Sequence, residues 1–225
     1  MKILFTGDSI TDCGRFKDQP ASLGQGYALM AAGELSFRYP SEAFTFVNTG
    51  LSGHKITDLL ARWRRDCINH KPDIVSILIG INDVLHEFLR DDGVSAIRFE
   101  ELYNIILEET ISSLPGVKII LCEPFILDTE ALATNYHRSI QELQIRQQEV
   151  KRLAQKHNCI FIPLQATFDI ALKTAPGAFW VPDGIHPSPA GHNLIAREWV
   201  KAICTEVVWR YGVSLEKLLS GVDMQ

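Results

Sequence analysis

Residues Lys2 to Asp12 read KILFTGDSITD. The apolar run Ile3-Leu4-Phe5 ends at Thr6-Gly7 and passes at once into Asp8-Ser9-Ile10-Thr11-Asp12, the pattern of a buried strand running into a tight turn and a helix start. Ser9 is thereby placed at the carboxyl end of a strand. Open α/β sheets keep their ligand crevice there, and a helix N-terminus favours developing negative charge. A serine so held can act as a nucleophile. It can equally cap the following helix, as Ser, Thr and Asp commonly do, and this stretch alone does not separate the two roles.

Working outward, the polar, Gly-containing segment from Cys13 to Gly26 follows neither period and reads as a surface loop. A helix is predicted from Tyr27 to about Tyr39, stopped by Pro40, and Phe44 to Asn48 reads as a second strand. Ile56 to Asn69 has Ile56, Leu59, Leu60, Trp63 and Cys67 at helical spacing. Ile74 to Ile79 is apolar enough to be covered on both faces, as a parallel sheet requires. Beyond Gly80-Ile81-Asn82-Asp83 the sequence reads as a polar crossing up to a helix over Phe99–Ser113. Strand Val117–Leu121, a long helix Tyr136–His157, strand Cys159–Pro163, a shorter helix Thr167–Lys173, a loop Ala175–Ile185 and a last helix Pro189–Trp209 complete the pattern. Five strands alternating with helices across short joints predict a three-layer α/β/α sandwich around a five-stranded parallel sheet, in one domain over residues 1–211. The tail, 212–225, spaces Val213, Leu215, Leu218 and Leu219 for one short amphipathic helix able to dock on its own domain or on a neighbouring subunit.

The composition, 46% hydrophobic and 22% charged over 225 residues, is that of a globular protein with a sizeable core. A net charge of −5 and the lack of a dense basic run argue against nucleic acid as a partner; Arg62-Trp63-Arg64-Arg65, on an amphipathic helix, reads as a solvated face. No apolar run reaches membrane-spanning length, and Met1-Lys2 leads straight into a core strand, so a cytoplasmic location is expected. Five scattered cysteines without a CxxC pair read as reduced thiols.

In a parallel sheet the strand ends share one edge. Ser9 after the first strand, Asn48 and Gly50 after the second, and Asn82 and Asp83 after the third therefore converge on one crevice. Far downstream, Asp183-Gly184-Ile185-His186 sets a carboxylate and an imidazole three residues apart. That spacing allows Asp183 to accept from one ring nitrogen while the other faces a serine hydroxyl. Each piece has a plainer reading: Asn82 can tie a turn, Gly50 can be present for its backbone angles, and Asp183, His186 and His192 can be imagined around a metal.

Together these runs resemble the SGNH hydrolases, also called GDSL esterases and lipases, over nearly the whole chain to about Trp209. Gly7-Asp8-Ser9-Ile10-Thr11 is similar to the block that carries the family's nucleophilic serine. Asn48-Thr49-Gly50-Leu51-Ser52-Gly53 resembles the second block, whose glycine amide is an oxyanion donor and which points to Gly50. Gly80-Ile81-Asn82-Asp83 resembles the third, whose asparagine amide is another, and Asp183-Gly184-Ile185-His186 the last, which supplies acid and base. The resemblance implies a flavodoxin-like sheet, a catalytic triad of Ser9, Asp183 and His186, an oxyanion hole of Ser9, Gly50 and Asn82, no cofactor and no metal. The chain also lacks a G-x-S-x-G elbow.

Longer strings, Ser9 to Arg15, Gly24 to Tyr27 and Lys71 to Val84, look closest to bacterial acetylxylan and related carbohydrate acetyl esterases. A small-molecule ester, with acetyl as the acyl group, is the substrate this implies. Relatives often carry Trp-Arg where this chain has Leu85-His86, so a sugar would be met by other aromatic residues, Phe88, Phe125, Phe179 or Trp180. Asp8, Trp180 and Phe125 are the substrate-contact candidates. A general short-chain esterase, thioesterase or lysophospholipase, and a non-catalytic sugar-binding protein, are the alternatives. The apolar tail and the resemblance together raise a homo-oligomer as an expectation.

Overall fold

The computed structural model describes residues 1–211, in the order β1 (Lys2–Gly7), α1 (Ser9–Asp12), α2 (Tyr27–Arg38), β2 (Thr45–Asn48), α3 (Ile56–Asp66), β3 (Ile74–Leu78), α4 (Ile81–Arg90), α5 (Ala96–Ser113), β4 (Lys118–Cys122), α6 (Ala133–Lys156), β5 (Ile160–Ile162), α7 (Leu164–Ala171), α8 (Gly177–Trp180) and α9 (Pro189–Tyr211). The strands form one parallel sheet in the order β2-β1-β3-β4-β5. That is the flavodoxin-like order, in which the chain reverses direction between β1 and β3 and opens a crevice at their carboxyl ends. The amphipathic tail expected over 212–225 lies outside the described residues.

Period-2 alternation divides each central strand between two cores. Ile3, Phe5, Leu78, Ile120 and Cys122 face α2, α7 and α9, where Tyr27, Leu35, Phe168 and Trp199 are buried. Leu4, Val75, Ile77, Ile119 and Leu121 face α3, α5 and α6, burying Leu59, Trp63, Phe99, Ile106 and Leu153. The buried indoles of Trp199 and Trp63 each find an acceptor. Trp199 Nε1 donates to Ser76 Oγ at 3.0 Å, and Trp63 Nε1 to Thr110 Oγ1 at 2.9 Å.

The strand ends are drawn together at the crevice. Gly7 pairs with Leu78, and a Cβ on Gly7 would lie 1.9 Å from the Leu78 carbonyl oxygen, so only glycine permits this approach. Arg62, read from sequence as part of a solvated face, is 6% exposed. Its guanidinium donates to the carbonyls of Thr49 (2.6 Å) and Gly7 (3.0 Å), just past the end of β2 and at the end of β1, and pairs with Asp66 at 2.9 Å. Burial pulls the guanidinium pKa down, and Asp66 works to restore it.

The expected polar crossing after Asp83 is instead helix α4, ended by Asp91 in the left-handed conformation. Its Val84, Leu85 and buried His86 lie inward, a stripe that the interleaved His, Glu and Arg of this segment obscure in one dimension. The Ala175–Ile185 loop likewise contains the single turn α8, and α6 begins three residues earlier than the Tyr136 start predicted. Asp83 ties α4 to α3, since its Oδ1 accepts from the Ile56 amide at 3.0 Å.

Asp83 is fully buried, and burial raises its pKa to about 7; the Ile56 hydrogen bond and Arg146 lower it, while the similarly buried Asp8 raises it further. A folded value above the unfolded one favours the neutral acid in the native state. The associated stability is complete below about pH 4 and is lost as pH rises through 7. Asp83→Asn keeps an acceptor for Ile56 but cannot ionise. Its melting temperature is expected to fall less between pH 5 and pH 8 than that of wild type; an identical fall would show that Asp83 titrates as it does when unfolded. Arg62→Ala leaves the Thr49 carbonyl without its charged donor and is expected to cost about 3 kcal/mol, read from urea unfolding. A loss below about 0.5 kcal/mol would show that the strand ends do not depend on it.

Candidate active site

Ser9 is the first residue of α1, two residues past the end of β1, and Asp8 caps that turn by accepting from the Ile10 amide at 3.0 Å. The serine therefore does not spend its hydroxyl as the cap. Its Oγ lies 2.8 Å from His186 Nε2, across a sequence separation of 177 residues. His186 Nδ1 lies 2.6 Å from Asp183 Oδ2, and Asp183 Oδ1 accepts from the amides of His186 (2.6 Å) and Ile185 (2.9 Å).

Burial works against charge on Asp183, but hydrogen bonds from the His186 amide and ring and from Ile185 outweigh it and hold the carboxyl below its usual range. Asp183 is thus an anion that fixes the ring, with Nδ1–H donating to it and Nε2 left to accept from the Ser9 hydroxyl. Ser9, His186 and Asp183 form a line able to move a proton from a hydroxyl to an imidazole and stabilise the resulting cation. The loop that carries Asp183 and His186 is anchored between the two and just after them. Leu127 N donates to Gly184 O at 3.0 Å, and Ser188 donates through its amide to Trp180 O (2.8 Å) and through Oγ to Phe179 O (2.7 Å).

On the opposite side of Ser9 the structure departs from the sequence reading at Gly50. This glycine is buried and its amide donates to Asn48 Oδ1 at 2.9 Å, while Asn48 Nδ2 donates to the carbonyls of Thr11 (2.7 Å) and Leu23 (2.8 Å). An amide satisfied inside the protein and closed off from solvent is not a donor for substrate, so the assignment to Gly50 is corrected. The second glycine of the same run, Gly53, is exposed, has φ +80°, and its amide takes no intramolecular partner among the described residues. Asn82, second residue of α4, donates through Nδ2 to the carbonyl of His54, the next residue after Gly53, at 3.1 Å. That bond uses one of the two amide hydrogens and leaves the other. Ser9, opening a helical turn, also has an amide with no intrahelical acceptor. Residue type does not distinguish Gly50 from Gly53; exposure and the partner of each amide do.

The three substrate-contact candidates fare unequally. Phe125 is fully buried, its ring 4.5 Å from that of Phe168, and Asp8 is fully buried beneath Ser9, so neither can touch a substrate. Phe125 comes from the segment after β4, where an apolar residue enters the core, and Asp8 spends its carboxylate on the helical turn. Trp180 is half-buried on α8, and beside it Phe179 is 52% exposed, the two rings edge to face at 4.9 Å. His192 stays out of the site: Nδ1 accepts from the Tyr27 amide at 3.2 Å and Nε2 meets Cys13 Sγ at 3.3 Å. Burial drives its pKa to about 4, aided by His186, so it is held neutral. Among the described residues no group of three or more His, Cys, Asp or Glu is arranged to hold a metal ion.

Known proteins resemble this chain over most of its length. The chain is 37% identical over 215 residues to an acetylxylan esterase of Geobacillus stearothermophilus, covering 92% of this chain and 95% of that one. The solved structure of an acetyl-xylooligosaccharide esterase from the same organism superposes with a TM-score of 0.82 at 36% identity, covering 90% of this chain and 93% of that one. A GDSL-like lipase candidate of Parabacteroides merdae superposes with a TM-score of 0.86 at 35% identity, over 89% and 94% of the two chains. Structures of the Geobacillus enzyme include catalytic mutants at a serine, an aspartate and a histidine, the last two three positions apart. A family model matches residues 5–194, and by that match the chain belongs to the GDSL-like lipase/acylhydrolase family.

Proposed function

We propose that this protein is a serine esterase that removes acetyl groups from carbohydrates, with short acetylated xylo-oligosaccharides as its substrate class. The observation that carries the reading is the Ser9–His186–Asp183 hydrogen-bonded line, at 2.8 and 2.6 Å, in a chain related over most of its length to acetylxylan esterase. Ser9 Oγ attacks the acetyl carbonyl carbon as His186 Nε2 takes its proton. The tetrahedral oxyanion is met by the amides of Ser9 and Gly53 and by the Asn82 side chain. Each such donor is worth roughly 10²–10³ in rate. The C–O bond to the sugar then breaks, and the sugar oxygen leaves with the proton from Nε2. A water molecule, its proton drawn off by the same nitrogen, attacks the acetyl-enzyme. Acetate departs as Ser9 Oγ recovers the proton.

The form of the site suits a small acyl group on a large alcohol. The side chains of His186 and Asp183 are about half exposed, at 51% and 46%, so the bulk of a sugar chain can remain outside while the ester reaches Ser9. The exposed ring of Phe179, braced by Trp180 four and three residues ahead of Asp183, offers a flat apolar face of the kind on which a sugar ring packs.

Acetate release from acetylated xylo-oligosaccharides should fall by about 10⁶-fold in Ser9→Ala with the circular dichroism spectrum unchanged, and 4-nitrophenyl acetate hydrolysis should fall with it. A wild type that cleaves nitrophenyl acetate but not the oligosaccharide would make the protein a general short-chain esterase; an active Ser9→Ala would remove Ser9 as nucleophile. Phe179→Ala is expected to raise KM for the oligosaccharide by about 3- to 10-fold, the scale of one aromatic contact, with a smaller effect on 4-nitrophenyl acetate. Equal effects on both substrates would show that Phe179 does not read the sugar.

A further inference from the structure

We infer that Asp12 is a positioning residue of the oxyanion hole: reaching from the nucleophile's own helical turn, its carboxylate holds Ser52 so that the next residue, Gly53, presents its amide to the developing oxyanion. The inference rests on the esterase reading above. Asp12 closes α1, three residues after Ser9, and is 4% exposed. Its Oδ2 accepts from both the amide and the hydroxyl of Ser52, at 3.0 and 2.9 Å. On the far side of Gly53, the His54 carbonyl accepts from Asn82 Nδ2 at 3.1 Å, and the His54 amide donates to Leu51 O at 3.3 Å. Gly53 is thus the one unanchored residue between two anchored ones.

The geometry gives this clamp a specific task. A turn whose amides all bond internally holds its shape without help but offers no donor. Gly53 has φ +80° and nothing within 4 Å of where a Cβ would lie, so no packing on that side holds it. Because peptide units are planar, fixing the Ser52 amide leaves only the two dihedrals of Ser52 between that anchor and the Gly53 N–H. The second bond, from Ser52 Oγ to the same oxygen, restrains Ser52 further. Ser52 is itself exposed, and water could satisfy both its donors. A carboxylate almost wholly removed from solvent is an expensive partner for such a residue, which argues that position rather than satisfaction is what the bond provides. Arg15 and Lys17 approach the carboxylate at 4.0 Å, and Arg15 Nε donates to Gly50 O at 2.8 Å, so the base of the same loop is held from the same segment. Since Ser9 and Asp12 share one helical turn, nucleophile and donor are kept at a common spacing.

The test compares wild type, Asp12→Ala, Asp12→Asn and Ser52→Ala with 4-nitrophenyl acetate, expressing kcat per active site counted by stoichiometric labelling of Ser9, with Ser9→Ala as the unlabelled blank. Asp12→Ala is expected to lose about 10²-fold in kcat, the scale of a misplaced catalytic group, with KM within about 3-fold and with an equal loss of affinity for a boronic acid that mimics the tetrahedral adduct. Asp12→Asn, which keeps an acceptor for Ser52, should recover most of the loss. Ser52→Ala, which removes one of the two bonds and keeps the backbone one, should show a smaller, parallel loss even if Asp12→Ala folds poorly. The double variant Asp12→Ala/Asn82→Ala should lose less than the product of the two single losses. Variants that lose activity only in proportion to labelled sites, or that lose kcat with boronic acid affinity intact, would overturn the inference and leave the esterase reading standing. A wild type with no Ser9-dependent activity would overturn both.

Discussion

The close approach of β1 and β3 at Gly7 is the constraint from which the site follows. Parallel pairing sets Gly7 opposite Leu78 and Phe5 opposite Asn48, so the loops after β1, β2 and β3 leave the sheet on one edge within reach of one another. Leu78 O would collide with any side chain at position 7. With a larger residue, Ser9 and Asn82 could not sit at the ends of adjacent strands. Arg62 completes the junction by binding the Gly7 and Thr49 carbonyls from beneath, which makes a buried charge part of the sheet's edge. Asp66 and the two carbonyls compensate the desolvation of that charge.

Electrostatics divides the acidic groups of the crevice into two kinds. Asp183 is half exposed and takes three hydrogen bonds on its two oxygens, which favour the anion and keep it ready to support an imidazolium. Asp8 and Asp83 are sealed from solvent, each accepts one backbone hydrogen bond, and burial lifts both to about 7. Hydrogen bonding dominates in the first case and desolvation in the second. The contrast explains why these three aspartates do different work: one orients His186 beside Ser9, one caps the helical turn that Ser9 opens, and one joins two helices.

Much of this arrangement was legible in the residues. Continuous apolar runs such as Ile74 to Ile79 mark strands buried on both faces, and Ser9, Asn82 and the Asp183–His186 pair stand out because their positions at strand ends and their spacing match a chemistry. The misreadings share a cause. Phe125 is an aromatic residue near the crevice in sequence but packs on Phe168, Arg62 belongs to a basic run but turns inward, and α4 hides its apolar stripe among charged residues. In each case the deciding quantity is which side of an element faces the core, and that depends on partners remote in sequence.

By itself, the sequence determined the α/β/α class, the convergence of strand ends on one edge, and a serine, an imidazole and a carboxylate able to work together, because local periodicity and residue chemistry are properties of short segments. Only the tertiary structure decided that the His186 ring meets Ser9 across 177 positions, that Asp12 reaches Ser52, and that Gly53 rather than Gly50 is left with an unspent amide. Whether a backbone donor is free is settled by what else lies within hydrogen-bonding distance of it, and that is known only when the chain has folded around it.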